Sequence, residues 1–302
     1  MAILQSGYSI ERMQVGIPSR TALRVAMRRA AHQLHDASPL VFEDSYALRL
    51  LPAEAAAEVR ANTDGDHPVS RAMRSWMVVR SRFAEDQLAG AVERGVRQYV
   101  LLGAGLDTFA WRNPFHHSGL QIFEIDHPAT QAWKCELAAA SGLDKPDNTR
   151  YVPVDFEHDS LATCLSRAGF DRTVPVFFSW LGVVPYMTLQ AFRQTIDFLG
   201  TCAARSGLVF DYALPADALT ERERILQQYL AARVAQTGEP FRLFFLPDEV
   251  RAELARAGWN LTDDLDGVAL HRRYFEGRVD GLGLRSRAGR LLSAQILDNE
   301  AV

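Results

Sequence analysis

Apolar residues fall along this chain in two rhythms. From Thr21 to His35 they recur three or four apart, at Ala22, Val25, Ala26, Ala30 and Leu34. That spacing predicts an amphipathic helix, with Ser19 placed to cap its start. A longer stretch from Val69 to Glu93 repeats the pattern with Met73, Trp76, Met77, Val79, Phe83 and Leu88, and shorter helices are expected at 43–51 and 52–62. Beyond residue 96 the rhythm shifts to short apolar runs of strand length. These begin at Val100-Leu-Leu and continue through Gln121 to Asp126, Arg150 to Val154, Val174 to Trp180, Gly207 to Tyr212, Trp259 to Thr262 and Leu291 to Ile296. Helical stretches at 129–140, 188–203, 215–237 and 248–257 separate them. Strands alternating with helices predict an open, doubly wound α/β sheet. The chain therefore divides into a helical cap or lid over 1–95 and a sheet domain over 96–302, with a helical insertion near 215–237.

The first apolar run breaks at Gly103-Ala104-Gly105 and resumes as an amphipathic segment, which reads as strand, tight turn and helix start. Glycines there permit dihedrals that a side chain would resist, and let a ligand approach the backbone. About 20 residues on, the second strand ends in Asp126, where a carboxylate can accept both hydroxyls of a ribose. Two readings stay open, a purely structural turn and a nucleoside site. The dinucleotide fingerprint needs a third glycine where this chain has Thr108, so a pyrophosphate ligand such as NAD is disfavoured. A nucleoside without phosphates, of which S-adenosylmethionine is the common example, suits the turn better.

Gly103-Ala-Gly-Leu-Asp-Thr-Phe-Ala-Trp-Arg112 resembles the first motif of the leucine carboxyl methyltransferase family, which includes bacterial polyketide O-methyltransferases. Further matches follow in the family's order: Val79-Arg80-Ser-Arg-Phe83, Phe123-Glu-Ile-Asp-His-Pro128, Val152-Pro-Val-Asp-Phe156 and Ser179-Trp-Leu-Gly-Val-Val-Pro-Tyr186. Glu239-Pro-Phe241 and Gly258-Trp259 extend the resemblance, which spans roughly Thr21 to Ile296. It implies an α/β fold, a Rossmann-like class I methyltransferase sheet with helices on both faces and an N-terminal helical cap. It also implies S-adenosyl-L-methionine as cofactor, with Gly103, Ala104, Gly105 and Asp126 around the nucleoside, and Asp155 and Phe156 beside the adenine. Arg80 is implied as the grip on the methionyl carboxylate, with Arg82 a lesser candidate; spacing alone also allows Arg80 to be a packed arginine reaching solvent. Asp155 can equally be a turn or cap aspartate. Many family members carry glutamate-glycine where this chain has Leu181-Gly182, so the pocket beside Leu181 should be more apolar. Tyr186 is the candidate catalytic residue, able to orient an acceptor oxygen, or else a half-buried packing tyrosine.

Composition narrows the partners. Across 302 residues, Lys+Arg 33 nearly balances Asp+Glu 37, a formal net charge of −4, so no global field draws in nucleic acid. No run approaches a membrane span and the start lacks a signal-peptide pattern; three well-separated cysteines, Cys135, Cys164 and Cys202, show no metal-ligand spacing. A soluble cytoplasmic protein is expected, with a homodimer left open. His127, His158 and His271 belong to no recognisable catalytic pattern, and Leu270-His-Arg-Arg-Tyr-Phe275 either faces an acidic acceptor or ends a solvated helix. The leading expectation is O-methylation, at a carboxyl or hydroxyl, of a small molecule such as a polyketide-type metabolite, in secondary metabolism. A nucleoside sensor without transferase activity is the alternative. Methylation of a protein's C-terminal carboxylate is disfavoured by Leu181, and a nicotinamide dehydrogenase by Thr108.

Overall fold

The structure, a computed structural model, describes residues 19–62, 67–155, 158–235 and 240–298. Three helices come first: α1 (Arg20–His35), α2 (Ala53–Ala61) and α3 (Pro68–Glu93). The sheet and its crossovers then alternate: β1 (Gln98–Leu102), α4 (Phe109–Arg112), β2 (Gln121–Asp126), α5 (Pro128–Ala140), β3 (Thr149–Pro153), α6 (Leu161–Arg167) and β4 (Val176–Trp180). The second half contains α7 (Leu189–Gly200), β5 (Gly207–Ala213), α8 (Glu221–Ala235), α9 (Pro247–Arg256), β6 (Asn260–Asp266), α10 (Gly267–Tyr274) and β7 (Gly289–Gln295). The seven strands lie in the order β3-β2-β1-β4-β5-β7-β6, parallel through β5, with β7 antiparallel to both its neighbours. This is the expected Rossmann-like sheet. Its strand order reverses between β1 and β4, and a doubly wound sheet opens its ligand crevice at such a point, beyond the carboxyl ends of the strands.

The alternation of side chains along each strand builds two cores. Val100 and Leu102 of β1 join Phe123, Ile125, Phe178, Trp180, Phe192 and Phe210 on one face. Tyr99 and Leu101 point the other way, toward Val78, Val79, Phe83 and Leu88 of α3. Thus α3, grouped with the cap on sequence, packs directly on the sheet. A third cluster joins Ala26 and Ala30 of α1 and Ala55, Ala56 and Val59 of α2 to Leu106 and Ala138, seating the first two helices on the loop after β1 and on α5.

Ser19 caps α1 as expected, accepting from the Ala22 amide. The helix expected over 43–51 is instead a series of turns, such as Ala47 N to Asp44 O at 3.2 Å and Leu51 N to Leu48 O at 3.4 Å. Pro52 bounds that stretch, and with Asp44, Ala47, Leu50 and Leu51 all buried, packing rather than local helical preference sets its shape. The helix expected from Pro215 starts only at Glu221, where Thr220 and Glu223 bond each other's backbone amides as a capping box. The spacing of Thr220 and Glu223 in the sequence was the available signal. Glu239 and Thr237 lie outside the described residues.

Candidate functional site

The chain leaves β1 at Leu102 and turns through Gly103 (φ +72°) and Gly105 (φ +51°), a conformation that side-chain-bearing residues resist. The amides of Gly103 and Ala104 both donate to Ile125 O at 2.9 Å, fastening the turn to the end of β2. One residue further, the Gly105 amide donates to Asp126 Oδ2 at 2.6 Å, and the His127 amide to Oδ1 at 2.7 Å. Burial pushes the Asp126 carboxyl above the ordinary carboxylate range, against the pull of these two amides. Each oxygen retains acceptor capacity, and the side chain is half-buried. A carboxylate fixed at the end of β2 with lone pairs to spare matches a ribose diol.

Protein fills the space over both glycines. A Cβ at Gly103 would fall 2.3 Å from Val183 Cγ2, and one at Gly105 would fall 3.1 Å from Ala22 Cβ of α1. The turn thus needs glycine for the chain's own packing, so this feature alone supports the structural reading as much as a ligand. Val183 belongs to the turn after β4, Leu181-Gly182-Val183, which leads into a single 3₁₀ turn at Val184–Tyr186.

Across that turn lies Arg80. Its side chain is buried, 7% exposed, with Nη1 3.4 Å from Asp211 Oδ2 on β5. Arg80 does not reach bulk solvent, so the packed-and-solvated alternative does not describe it. Arg82, two residues on, points elsewhere: it pairs with Asp86 at 2.7 Å and is 47% exposed. It lines a surface cleft of about 340 Å³ together with Arg273 and Tyr274. The basic aromatic segment 270–275 packs there against α3, with the Arg273 guanidinium over Phe83 and the Tyr274 hydroxyl donating to Asp86 at 2.9 Å. Arg272 and Arg273 are both exposed at this end of α10.

Leu181 packs on the α3 side of the sheet, and Tyr186 is half-buried with its ring 5.2 Å from that of Phe241. The segment after α8 holds this pair in place, as the amides of Arg242 and Leu243 both donate to Pro185 O. Asp155 follows β3, and the Val154 amide donates to Asp126 O at 2.9 Å. Its carboxylate meets His158 Nδ1 at 3.0 Å, and its carbonyl accepts from the amides of both His158 and Asp159. Asp155 therefore closes a turn whatever else it binds. Phe156 lies outside the described residues.

Sequence reading missed the buried polar network on the other side of the glycine turn. Arg29 of α1 reaches Asp107 Oδ2 at 3.1 Å, bonds the Leu106 carbonyl and lies 3.4 Å from Asp44. Thr108, 0% exposed, donates to Asp44 Oδ1 at 2.7 Å and accepts from Arg112 Nε at 3.0 Å. Arg112 also forms a two-pronged pair with Glu85 of α3 and lies over the Phe42 ring. Burial would raise the Asp107 carboxyl, yet Arg29, Arg112 and Lys134 hold it below its ordinary value. Asp107 Oδ1 takes the Phe109 amide at 2.7 Å, the first free donor of α4. Thr108, in place of a third glycine, is thus a bolt between the turn and the N-terminal helices.

The sequence profile of leucine carboxyl methyltransferases matches residues 22–200, from α1 to the end of α7. The chain belongs to the leucine carboxyl methyltransferase family. Among relatives of this family member, the "Putative S-adenosyl-L-methionine-dependent methyltransferase YktD" of Bacillus subtilis is 29% identical over 286 residues, covering 87% of this chain and 93% of that protein. A protein of the same description from Saccharopolyspora erythraea is 32% identical over 282 residues, covering 91% and 94%. In fold, a DUF574 family protein from Streptomyces avermitilis superposes with a TM-score of 0.59 at 17% identity, covering 92% and 97% of the two chains. A "putative methyltransferase" from Thermobifida fusca does so with a TM-score of 0.58 at 15% identity, covering 94% and 97%.

Among the described residues of this methyltransferase no cluster of His, Cys, Asp and Glu is arranged to hold a metal ion, and no helix is long and apolar enough to cross a membrane.

Proposed function

We propose that this S-adenosyl-L-methionine-dependent methyltransferase delivers its methyl group to an oxygen of a small molecule, a carboxylate or a hydroxyl on a polyketide-type skeleton. The observation that carries this reading is the meeting of two turns, the glycine turn after β1 and the turn after β4, with Gly103 of the first packed against Val183 of the second. Asp126 bonds the first turn and Arg80 lies against Gly182 of the second, groups suited to a nucleoside and an amino acid. Leu181 stands beside Gly182 where many family members have a glutamate, and further along the same segment Tyr186 packs against Phe241, so the residues after β4 are apolar and aromatic.

When bound, the cofactor supplies an electrophilic methyl carried on a sulfonium. In this reading Asp126 holds the ribose hydroxyls and Arg80 the methionyl carboxylate, a bidentate task suited to a planar guanidinium. Asp155 accepts from the adenine amino group. The protein's remaining work is to align the acceptor and exclude water, for which orientation contributes up to about 7–11 kcal/mol. Tyr186 orients the acceptor oxygen through its hydroxyl. A carboxylate acceptor arrives ionised, whereas a phenol with a pKa near 10 gains about 10²- to 10⁴-fold from a proton acceptor.

Parallel calorimetric titrations with S-adenosylmethionine, S-adenosylhomocysteine and NAD, followed by mass-spectrometric detection of methylated phenols and carboxylic acids, test the proposal. Binding of the first two with transfer to a small acceptor is expected. Cofactor binding with no transfer to any acceptor would favour a nucleoside sensor instead.

A further inference from the structure

Strand β5 reads Gly207-Leu-Val-Phe-Asp-Tyr-Ala213, and its one charged side chain, Asp211, is 5% exposed. A carboxylate buried without partners is strongly disfavoured, so its surroundings reveal what it is for. Its Oδ1 accepts from the Gly182 amide, and its Oδ2 faces Arg80 Nη1 at 3.4 Å. One aspartate therefore fastens the turn after β4 and the arginine of α3 from behind. Gly182 has φ +69°, and a Cβ there would fall 2.7 Å from Nη1 and 2.9 Å from Nη2 of Arg80, so the guanidinium fills the space that the missing side chain leaves. A guanidinium carries five N–H donors in a rigid plane, and a single 3.4 Å contact leaves most of that fork for another acceptor.

We propose that Asp211 is a positioning residue for the cofactor: it holds the Arg80 guanidinium against the Gly182 turn, so that the unused donors are already oriented for the methionyl carboxylate. This rests on the reading of Arg80 given above. Fixing a long, flexible side chain before the ligand arrives removes an ordering cost that binding would otherwise bear. Asp211 also repels an incoming carboxylate, which works against affinity. A two-pronged grip depends on the angle of the fork, so orientation outweighs that repulsion.

The test compares two ligands that differ at one end. S-adenosylhomocysteine carries the amino-acid carboxylate, and 5′-methylthioadenosine lacks it. By calorimetric titration, Asp211→Asn should weaken S-adenosylhomocysteine about tenfold, the usual scale of one charge-assisted hydrogen bond, while 5′-methylthioadenosine binds as to the wild type. In an Arg80→Ala background Asp211→Asn should have no further effect on either ligand. Equal losses for both ligands would make Asp211 a merely structural residue, and tighter S-adenosylhomocysteine binding would make it only a counter-charge; either overturns the proposal. Should Asp211→Asn fail to fold, Asp211→Glu keeps the charge, displaces it by one methylene and carries the same expectation. Wild-type affinity in Arg80→Ala would remove the Arg80 reading itself. A weakened Arg80→Ala beside an unaltered Asp211→Asn would remove only the role of Asp211.

Discussion

The glycine turn is held from two sides, and the two are built differently. Toward the N-terminal helices, Arg29 and Arg112 are matched against Asp44, Glu85 and Asp107, with Thr108 joined in as donor and acceptor. Toward β4 and β5, Arg80 has one ion pair at 3.4 Å among the described residues. Both sides are buried and both are charged. The number of partners separates them: Arg112 spends Nε, Nη1 and Nη2 on Thr108 and Glu85, and Arg29 spends both Nη atoms and leaves only Nε without a hydrogen bond, whereas Arg80 makes one hydrogen bond among the described residues.

The largest effect that would break this comparison is Arg112→Ala. It strips Glu85 of both hydrogen bonds and leaves Asp44 short of a counter-charge, so unfolding in denaturant should show a loss of about 3–5 kcal/mol. A loss below about 1 kcal/mol would mean that the network does not hold the turn. Next is Gly103→Ala, which adds a methyl 2.3 Å from Val183 Cγ2 at a positive φ. It should cost about 1–3 kcal/mol, and Val183→Ala in the same chain should restore part of that. No recovery would trace the cost to the backbone alone.

On the ligand side the expected losses are in affinity. Asp126→Ala should weaken S-adenosylmethionine by about 1–3 kcal/mol in calorimetry, and Arg80→Lys should weaken it by about 1 kcal/mol because an ammonium lacks the planar fork. An Arg80→Lys protein with undiminished affinity would place the carboxylate grip elsewhere.

The smallest effect is in pH, where the two sides have opposite signs. The pKa of Asp107 is lowered by its cationic partners, so its contribution to stability is present above the ordinary carboxylate range and is lost as pH falls through its folded value. The pKa of Asp126 is raised by burial, so ionising it in the ligand-free protein costs stability as pH rises past its ordinary value toward the raised one. Asp126→Asn should therefore flatten part of the loss between acid and neutral pH, by about 1 kcal/mol or less after solvent screening. Thermal midpoints of both proteins from pH 3 to 7 check this; identical profiles would contradict it.

The sheet was readable because each central strand is a run of apolar residues stopped by a turn, a pattern that survives without neighbours. The motifs that contain Asp126 and Arg80 were readable locally. The partners of those motifs were not: Asp44 meets Thr108 across 64 positions, Arg29 meets Asp107 across 78, and Arg80 meets Asp211 across 131. A charge inside an apolar stretch, such as Arg29 among Val25, Ala26 and Ala30 or Asp211 after Leu208-Val-Phe, announces that a partner must exist. It does not say which one. The segment 43–51 failed for a related reason, because its side chains Asp44, Ala47, Leu50 and Leu51 are buried against other elements and local helical preference did not decide its shape.

Asp107 bears on which cofactors this turn can admit. Where a nucleotide would bring its phosphates, the start of the helix after the glycine turn, the chain already supplies an anion of its own, seated on the Phe109 amide. A diphosphate arriving there would find that donor taken, because the chain's own carboxylate, paired with Arg29, already occupies the seat. Under the proposed reading, the turn therefore suits nucleosides that carry no phosphate.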